Sequence, residues 1–506
     1  MQPLNKVFSV LSIIALSACN VAVENLSKDE MAQVIKEDRK QIISQVEPIG
    51  EVVTIDEAIA RALKYNLDQR VANLEQSLRS GELVAGKYDM LPDIMAKAGY
   101  DWRNNFSHRW TGDYIDANTI PDPNILPTPP NVSVDPRHGT GSLALSWSLL
   151  DFGASYYTAK QNANKILVAN EKRRKAMHSL VQEVRSAYWR ALASEALSKR
   201  VKITIASAER ALTDSRKLTN EGLTSPDQPL RYQRNLLENL RLLEAVEQEL
   251  AIARHELTQL IGATQGVKYR LKEPPTNLSP VNAAMVDLEQ FALSNNANLR
   301  KEVLNTRIAA DDTRKAIIKL LPGVTLDYGV YSDNDRYLVN EQWTAAGINV
   351  SYNLFNLLSA KSSREAARSN ENLAVARRMA LQMAVITQVH VASHQYTDAL
   401  KQFQRADQIY LVDRKLEKIV RGKTSSDMSG EQALIAANVT TILSEMRRYQ
   451  AMAKFQRATG QLQSTLGMEP VFGSVDDVTL ADLRILVSEW LDASITVEKL
   501  ALADKM

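Results

Sequence analysis

Few residues in this sequence have the type and spacing for covalent or metal chemistry. Cys19 is the only cysteine, so no internal disulfide framework and no paired-cysteine metal or redox site can form. His390 and His394 stand four residues apart on a stretch expected to be helical, a spacing that can hold a metal ion. No glutamate of an HExxH pattern accompanies them and no cysteine is near. They read as surface or packing histidines, and no metal or other cofactor is expected. Asp311-Asp312 beside Arg314 and Lys315 reads as a solvated helix face, because a catalytic carboxylate pair would need a pocket and the sequence signals none. Arg173-Arg174-Lys175 is likewise charged helix surface. No nucleophile–base constellation stands out and no phosphate-binding glycine loop occurs, so the sequence points away from an enzyme.

Composition agrees. The 506 residues carry 61 Lys+Arg against 59 Asp+Glu, a net charge of +2, which favours neither nucleic acid as a partner nor acidic disorder. Length alone would allow two or three domains. Hydrophobic residues at 45% and charged residues at 24% suit a folded chain. Only 19 Gly, 16 Pro and 6% aromatics point to long helices rather than a β-sandwich.

The N-terminus reads as an export signal. Lys6 supplies a positive start, and Val7 to Leu16 supplies an apolar run too short for the ~20 residues that span a bilayer. The run ends in Leu16-Ser17-Ala18-Cys19, which resembles a bacterial lipobox. Lipid would attach to the Cys19 thiol, and cleavage would leave Cys19 first. Asn20 rather than Asp follows, which by resemblance to bacterial lipoproteins permits sorting to the outer membrane. The competing reading is an ordinary signal peptide with a stray cysteine. No later segment is apolar enough for a transmembrane helix.

The rest is organised as one unit used twice. Thr54-Ile55-Asp56-Glu57-Ala58 opens a helix expected to run through Ala62-Leu63 to about Met90, stopping at Leu91-Pro92. A second runs from about Val286 through Ala292-Leu293 and stops at Leu321-Pro322, 230 positions on. Proline disfavours helix in the residue before it, so both stops share a cause. The period then changes from 3.6 to 2. Ile94, Ala96, Ala98, Tyr100 and Trp102 alternate with mostly polar residues, as do Leu143, Leu145, Trp147 and Leu149. Val324, Leu326, Tyr328 and Val330, then Ile348, Val350, Tyr352 and Leu354, repeat the pattern. Each copy thus offers two strands of roughly ten residues with one apolar face, which suits a tilted membrane strand or a half-buried soluble hairpin. The first connecting loop is rich in proline from Pro121 to Pro136, and the second, about Ser332–Thr344, is shorter.

A long helix should follow each hairpin, about Tyr157–Thr219 and Lys361–Arg421, each near 95 Å at 1.5 Å per residue. Such lengths require a coiled coil or an extended bundle. Leu180, Val184, Ala187, Ala191, Ser194, Ser198, Val201, Ile205 and Ala208 form one stripe rich in small residues. Val181, Leu192 and Ile203 fall outside it, as in a helix with more than one neighbour. Tight turns follow at Gly222 to Gln228 and at Gly422 to Asp427. Ser225, Pro226 and Gln228 make a capping box. Returning helices, about Gln228–Ile261 and Glu431–Leu466, should end at Gly262 and Gly467.

This order of features resembles the TolC-like outer-membrane efflux family in its lipoprotein branch, over most of residues 50–470. The motifs are the Ala-Leu helix openings, the Leu-Pro stops, Ser146-Trp147-Ser148-Leu149-Leu150-Asp151-Phe152-Gly153, its echo Ser351-Tyr352-Asn353-Leu354-Phe355-Asn356, and the two Gly-x-x-Ser turns. The echo has Leu357 where the first copy has Gly153. The resemblance implies a mixed α/β membrane protein with two internal repeats. A long α-helical barrel of coiled-coil hairpins would join a four-strand contribution to a trimeric twelve-stranded transmembrane β-barrel. Residues 1–18 would be signal peptide, 19–50 the lipidated N-terminal segment, 51–276 and 277–470 the repeats, and 471–506 a C-terminal segment. Four strands alone cannot close, and open edges cannot face lipid. The implied function is passive export through an outer-membrane duct of a tripartite efflux or type I secretion system. Its partners would be a periplasmic adaptor, an inner-membrane pump or ABC transporter, and outer-membrane lipid, with no nucleic acid. The location would be the bacterial outer membrane with a periplasmic helical extension.

The resemblance further places the helical turns at the periplasmic mouth, with Gly222, Ser225, Leu230, Gly422 and Ser425 at adaptor docking. The family often has an acid six residues after the glycine, where this chain has Gln228 and Met428. Asp227 and Asp427 lie one residue earlier and Glu431 three beyond Met428. Repeated by symmetry, such carboxylates would form a cation-attracting ring; the alternative for Asp227 and Asp427 is helix capping. A different class, a non-conducting periplasmic coiled-coil lipoprotein, needs no lipid-facing strands. The C-terminal stripe Leu483, Leu486, Val487 and Trp490 is expected to fold back on the helical cylinder.

Overall fold

The structure, a computed structural model, describes residues 25–109, 131–220, 227–275, 278, 281, 283–423, 428–468 and 478–492. Cys19, the signal-like leader, Pro121 to Pro130, Gly222, Ser225, Pro226, Ser425 and Asp427 lie outside the described residues, as do the side chains of Gln228 and Met428.

Helix α1 (Lys28–Gln45) precedes a short strand β1 (Val52–Val53). Each expected opening helix is in fact two. The first copy has α2 (Ile55–Tyr65) and α3 (Leu67–Tyr88), broken at Asn66. The second has α6 (Met285–Asn295) and α7 (Ala297–Ile318), broken at Asn296, again 230 positions on. Both asparagines are extended at ψ 126° and 121°. The Asn66 side-chain oxygen accepts from the Asp68 and Gln69 N–H groups, and that of Asn296 from Asn298 and Leu299. Asparagine competes for backbone donors, so it starts a new helix better than it continues an old one. The Leu-Pro stops hold: α3 and α7 end just before them and strands begin just after.

Strands β2 (Asp93–Trp102), β5 (Arg137–Ser148), β7 (Gly323–Asp333) and β8 (Gln342–Ser351) form one antiparallel sheet in the order β2-β5-β7-β8. The first connecting loop carries two short strands beside the proline tract, β3 (Ser107–Arg109) and β4 (Asn131–Val134), paired with each other. Strand ends differ from expectation at the helical side. Leu149 opens a helix instead of closing β5, and Tyr352 and Leu354 lie beyond β8.

The long helices are α4 (Leu149–Asn220) and α8 (Phe355–Lys423), with 72 and 69 residues, ~108 and ~104 Å at 1.5 Å per residue. They return as α5 (Asp227–Leu260) and α9 (Met428–Leu466). Both returning helices end in the same C-cap. Ala263 N–H bonds Thr258 C=O and Gly262 N–H bonds Gln259 C=O; Met468 and Gly467 do the same to Gln463 and Ser464. Gly262 and Gly467 sit at φ +68° and +74°, where a side chain is strained. Each also packs on the end of its own copy's opening helix, Gly262 on Tyr65 and Gly467 on Asn295, 230 positions apart.

Helix α4 lies at the centre, touching α3 and α5 on one side and α7 and α9 on the other; α8 packs beyond α7 and α9. That arrangement accounts for the two-sided burial of α4. Leu180, Val184, Ala187, Ala191 and Val201 are buried, and so are Val181 and Leu192, while Ile203 is exposed. Around the middle, β1 pairs with β6 (Arg270–Leu271), and α10 (Leu480–Asp492) packs on α2. Leu483 and Val487 are buried there and Arg484 pairs with Asp56 at 2.5 Å, while Leu486 stays partly exposed. The C-terminal stripe thus folds back as expected for most of its members.

Candidate functional site

The candidate site is the wall that the sheet and the long helices form together. Register fixes the two faces of the sheet, since residues paired across strands share a face. Ile94 pairs with Leu145, and Leu145 with Tyr328; Ala96 pairs with Leu143, and Leu143 with Val330. Trp147 pairs with Leu326, Leu326 with Ile348, and Val324 with Val350. One face is therefore apolar across all four strands. On the other face Asp93, Ser146 and Asp327 share a row. Asp327 accepts from the Ser146 hydroxyl at 2.6 Å and the Asn349 amide at 2.7 Å, which fixes its carboxylate on that face. Aromatics bracket the apolar face. Trp147 lies at its helical end, edge-on to Phe152, and Trp102 lies at its far end opposite Arg137.

At the far end the two hairpins are clipped together. Asp135 is buried and paired with Arg336, its N–H donates to Asp335 at 3.0 Å, and Gly139 N–H donates to Asn334 at 2.6 Å. No sequence signal marked this clip, because its partners lie about 200 residues apart. The outer strands β2 and β8 each have one ladder partner among the described residues.

The helices repeat the order of the strands. Helix α3 feeds β2, β5 feeds α4, α7 feeds β7 and β8 feeds α8, so the layers read α3-α4-α7-α8 above β2-β5-β7-β8. Both layers end on the same two sides. Both helical sides carry exposed apolar residues at similar distances from the sheet, Val71, Leu74 and Leu78 on α3 and Leu373 and Met379 on α8, and the tip half of α8 adds Ile409, Val412, Leu416 and Ile419 at heptad spacing. Inside the wall the contacts are polar as well as apolar. Arg200 of α4 reaches Glu417 of α8 at 3.3 Å and Glu445 of α9 at 2.5 Å. Arg185 is buried with no carboxylate bonded to it among the described residues; Gln456 and Gln463 accept its hydrogen bonds, and burial lowers it to about 10.

Of the expected mouth residues, four are described. Gly422 stands in the last turn of α8 with open space around it, and Leu230 of α5 is exposed at 55%. Asp227 opens α5 and Glu431 lies in the first turn of α9, both exposed. The two helix starts adjoin. Burial raises the Tyr232 hydroxyl of α5, and Glu431 of α9 and Asp214 of α4 push it further the same way. Gly222, Ser225, Ser425 and Asp427 belong to the undescribed turns. His390, considered above as a metal ligand, bonds Glu289 of α6 at 2.7 Å, and no metal-binding cluster occurs among the described residues.

Residues 58–263 match the family model for outer membrane efflux proteins. No curated protein matches the chain in sequence. Solved structures share the fold at low identity. A membrane protein from Pseudomonas aeruginosa has 14% identity and a TM-score of 0.62, covering 86% of this chain and 94% of its own. The Campylobacter jejuni CmeC outer membrane channel has 14% identity and a TM-score of 0.60, covering 87% and 90%. The open state of the Neisseria gonorrhoeae MtrE outer membrane channel has 14% identity and a TM-score of 0.56, covering 81% and 90%. The sequence match over residues 58–263 and the fold shared along most of the chain make this protein similar to outer membrane efflux channels.

Proposed function

We propose that three copies of this chain close one duct: a twelve-stranded barrel through the outer membrane, continued by a helical cylinder across the periplasm. The observation that carries this reading is the coincidence of edges. The unpaired strands β2 and β8 and the exposed apolar residues of α3 and α8 fall on the same two sides. One neighbour contact therefore completes both layers. Within the sheet strand directions alternate, so β8 of one copy and β2 of the next meet antiparallel, as the ring needs. Closure is required because an open strand edge cannot face lipid. The number three comes from the family resemblance. The apolar face then meets lipid and the row of Asp93, Ser146 and Asp327 meets water. Residues 51–276 and 277–470 act as two copies of one unit within each chain.

Transport is passive, with energy supplied by an inner-membrane pump or ABC transporter joined through a periplasmic adaptor, in a tripartite efflux or type I secretion system. The adaptor docks at the turns, on Gly222, Ser225, Leu230, Gly422 and Ser425. Asp227, Asp427 and Glu431 line the constriction and favour cations. Cys19 carries lipid, and α1 lies in sequence between that anchor and β1. The test is conductance of the purified protein in planar bilayers. Discrete steps through a cation-preferring pore are expected. Protein that inserts but never conducts overturns the duct in favour of a structural lipoprotein.

A further inference from the structure

A groove of about 600 Å³ lies where the α6–α7 joint meets α4 and α8. It has no part in the duct as described above. Its floor is one face of α7, where Leu299, Arg300, Val303 and Arg307 line it. Leu167 of α4 and Arg378 of α8 form opposite walls. The volume is in the range that holds a small organic ligand.

The charge in this groove is unbalanced. Glu171 is the one carboxylate lining it, and it is buried and already satisfied. Arg174 holds one of its oxygens at 2.6 Å and Arg300 the other at 2.8 Å. Arg307 and Arg378 form no ion pair among the described residues, although both point charge at the same concavity. The first turn of α7 adds the positive end of its dipole, since Leu299 and Arg300 belong to it. Guanidinium groups in a concave, partly apolar setting focus a positive field and match planar or tetrahedral oxyanions in two-point fashion. Beside them Leu167, Leu299 and Val303 offer apolar surface that a bare inorganic ion would leave unused.

We propose that this groove binds an amphiphilic anion, a phosphate or carboxylate on a short acyl or aromatic body, with the head on Arg307 and Arg378 and the tail along Leu167 and Val303. The groove lies in the wall rather than at the turns, so the proposal stands whether or not the duct reading does.

Hexyl phosphate is a suitable probe, soluble and free of micelles at working concentration. Titration calorimetry of the full-length protein in a neutral detergent should show it binding at least tenfold tighter than inorganic phosphate or hexanol. R307Q/R378Q should weaken it at least tenfold, and each single variant in part. K301Q, adjacent in sequence but outside the groove, should leave it unchanged. Thermal melts of the variants should match the parent, since both arginines reach solvent. Native mass spectrometry of protein extracted without added ligand separates the sources. A retained acyl anion that R307Q/R378Q loses points to membrane lipid, and an empty groove that still binds hexyl phosphate points to a soluble amphiphile. Equal hexyl phosphate binding by parent and double variant overturns the site. Equal affinity for inorganic phosphate overturns the amphiphile. A change in subunit assembly alone, with anion binding intact, assigns the arginines to a neighbouring copy and also overturns it.

Discussion

An arginine placed on the apolar face of the sheet should cost most at the middle of that face, and register says where the middle is. Trp147 marks the helical end and Trp102, opposite Arg137, the far end. Leu143 lies four residues from Trp147 and six from Arg137 along β5. At 3.4 Å per residue and ~40° tilt these are ~10 and ~16 Å along the bilayer normal, ~26 Å in all, close to the ~25 Å apolar band of outer-membrane barrels. Leu143 is thus near mid-bilayer, whereas Leu326 shares the Trp147 row at the interface. Leu143→Arg should destabilise the inserted protein by about 2–4 kcal/mol per chain and Leu326→Arg by only about 0–1. Ser142→Arg, one residue away on the other face, should change stability by less than about 1 kcal/mol. Urea-dependent folding into lipid vesicles, followed by tryptophan fluorescence and by mobility of unboiled samples, measures all three. If Ser142→Arg costs as much as Leu143→Arg, or Leu326→Arg costs more, the faces are misassigned.

Gly467→Ala puts a side chain at φ +74° and well inside contact with the Asn295 carbonyl, so a loss of at least ~2 kcal/mol is expected in chemical unfolding. Gly422→Val, in open space, should stay within ~1 kcal/mol of the parent yet impair export with a full pump assembly; normal export would remove Gly422 from the mouth. His178 is buried and held down to about 4 from 6.5, chiefly by desolvation and then by Arg174. The unfolded chain binds the extra proton first, so stability falls as pH drops from 6.5 to about 4, by ~3 kcal/mol per chain. His178→Phe should flatten that window in pH-dependent melts, and an unchanged slope would show that other groups cause it. Neutralising Asp227, Asp427 and Glu431 together should lower cation preference in reversal-potential measurements, and full retained preference would leave them as helix caps.

Much of the architecture was legible because it rests on local rules. The Leu-Pro stops, the change of period after them and the glycines at 262 and 467 each act through their own backbone. The same rules missed the breaks at Asn66 and Asn296. Periodicity ran straight through both, and only the preference of asparagine to cap could have flagged them; their 230-residue spacing was the available signal. Strand ends at Leu149 and Tyr352 were misplaced because alternation continued into the first helical turn, where sheet and helix patterns overlap. What depends on distant partners was invisible: the Asp135–Arg336 clip, the Arg185–Gln456–Gln463 set and the groove arginines join segments separated by about 70 to 280 residues. The long helices were legible as long, but which of their faces stay uncovered was not, because heptad spacing looks the same at an inner contact and an outer edge.

The central claim is that one chain supplies a third of a closed wall. Native mass spectrometry of the protein released from mild detergent tests it most directly. Three chains per particle is the predicted result. A folded monomer, stable in detergent with β2 and β8 unpaired, would contradict the account.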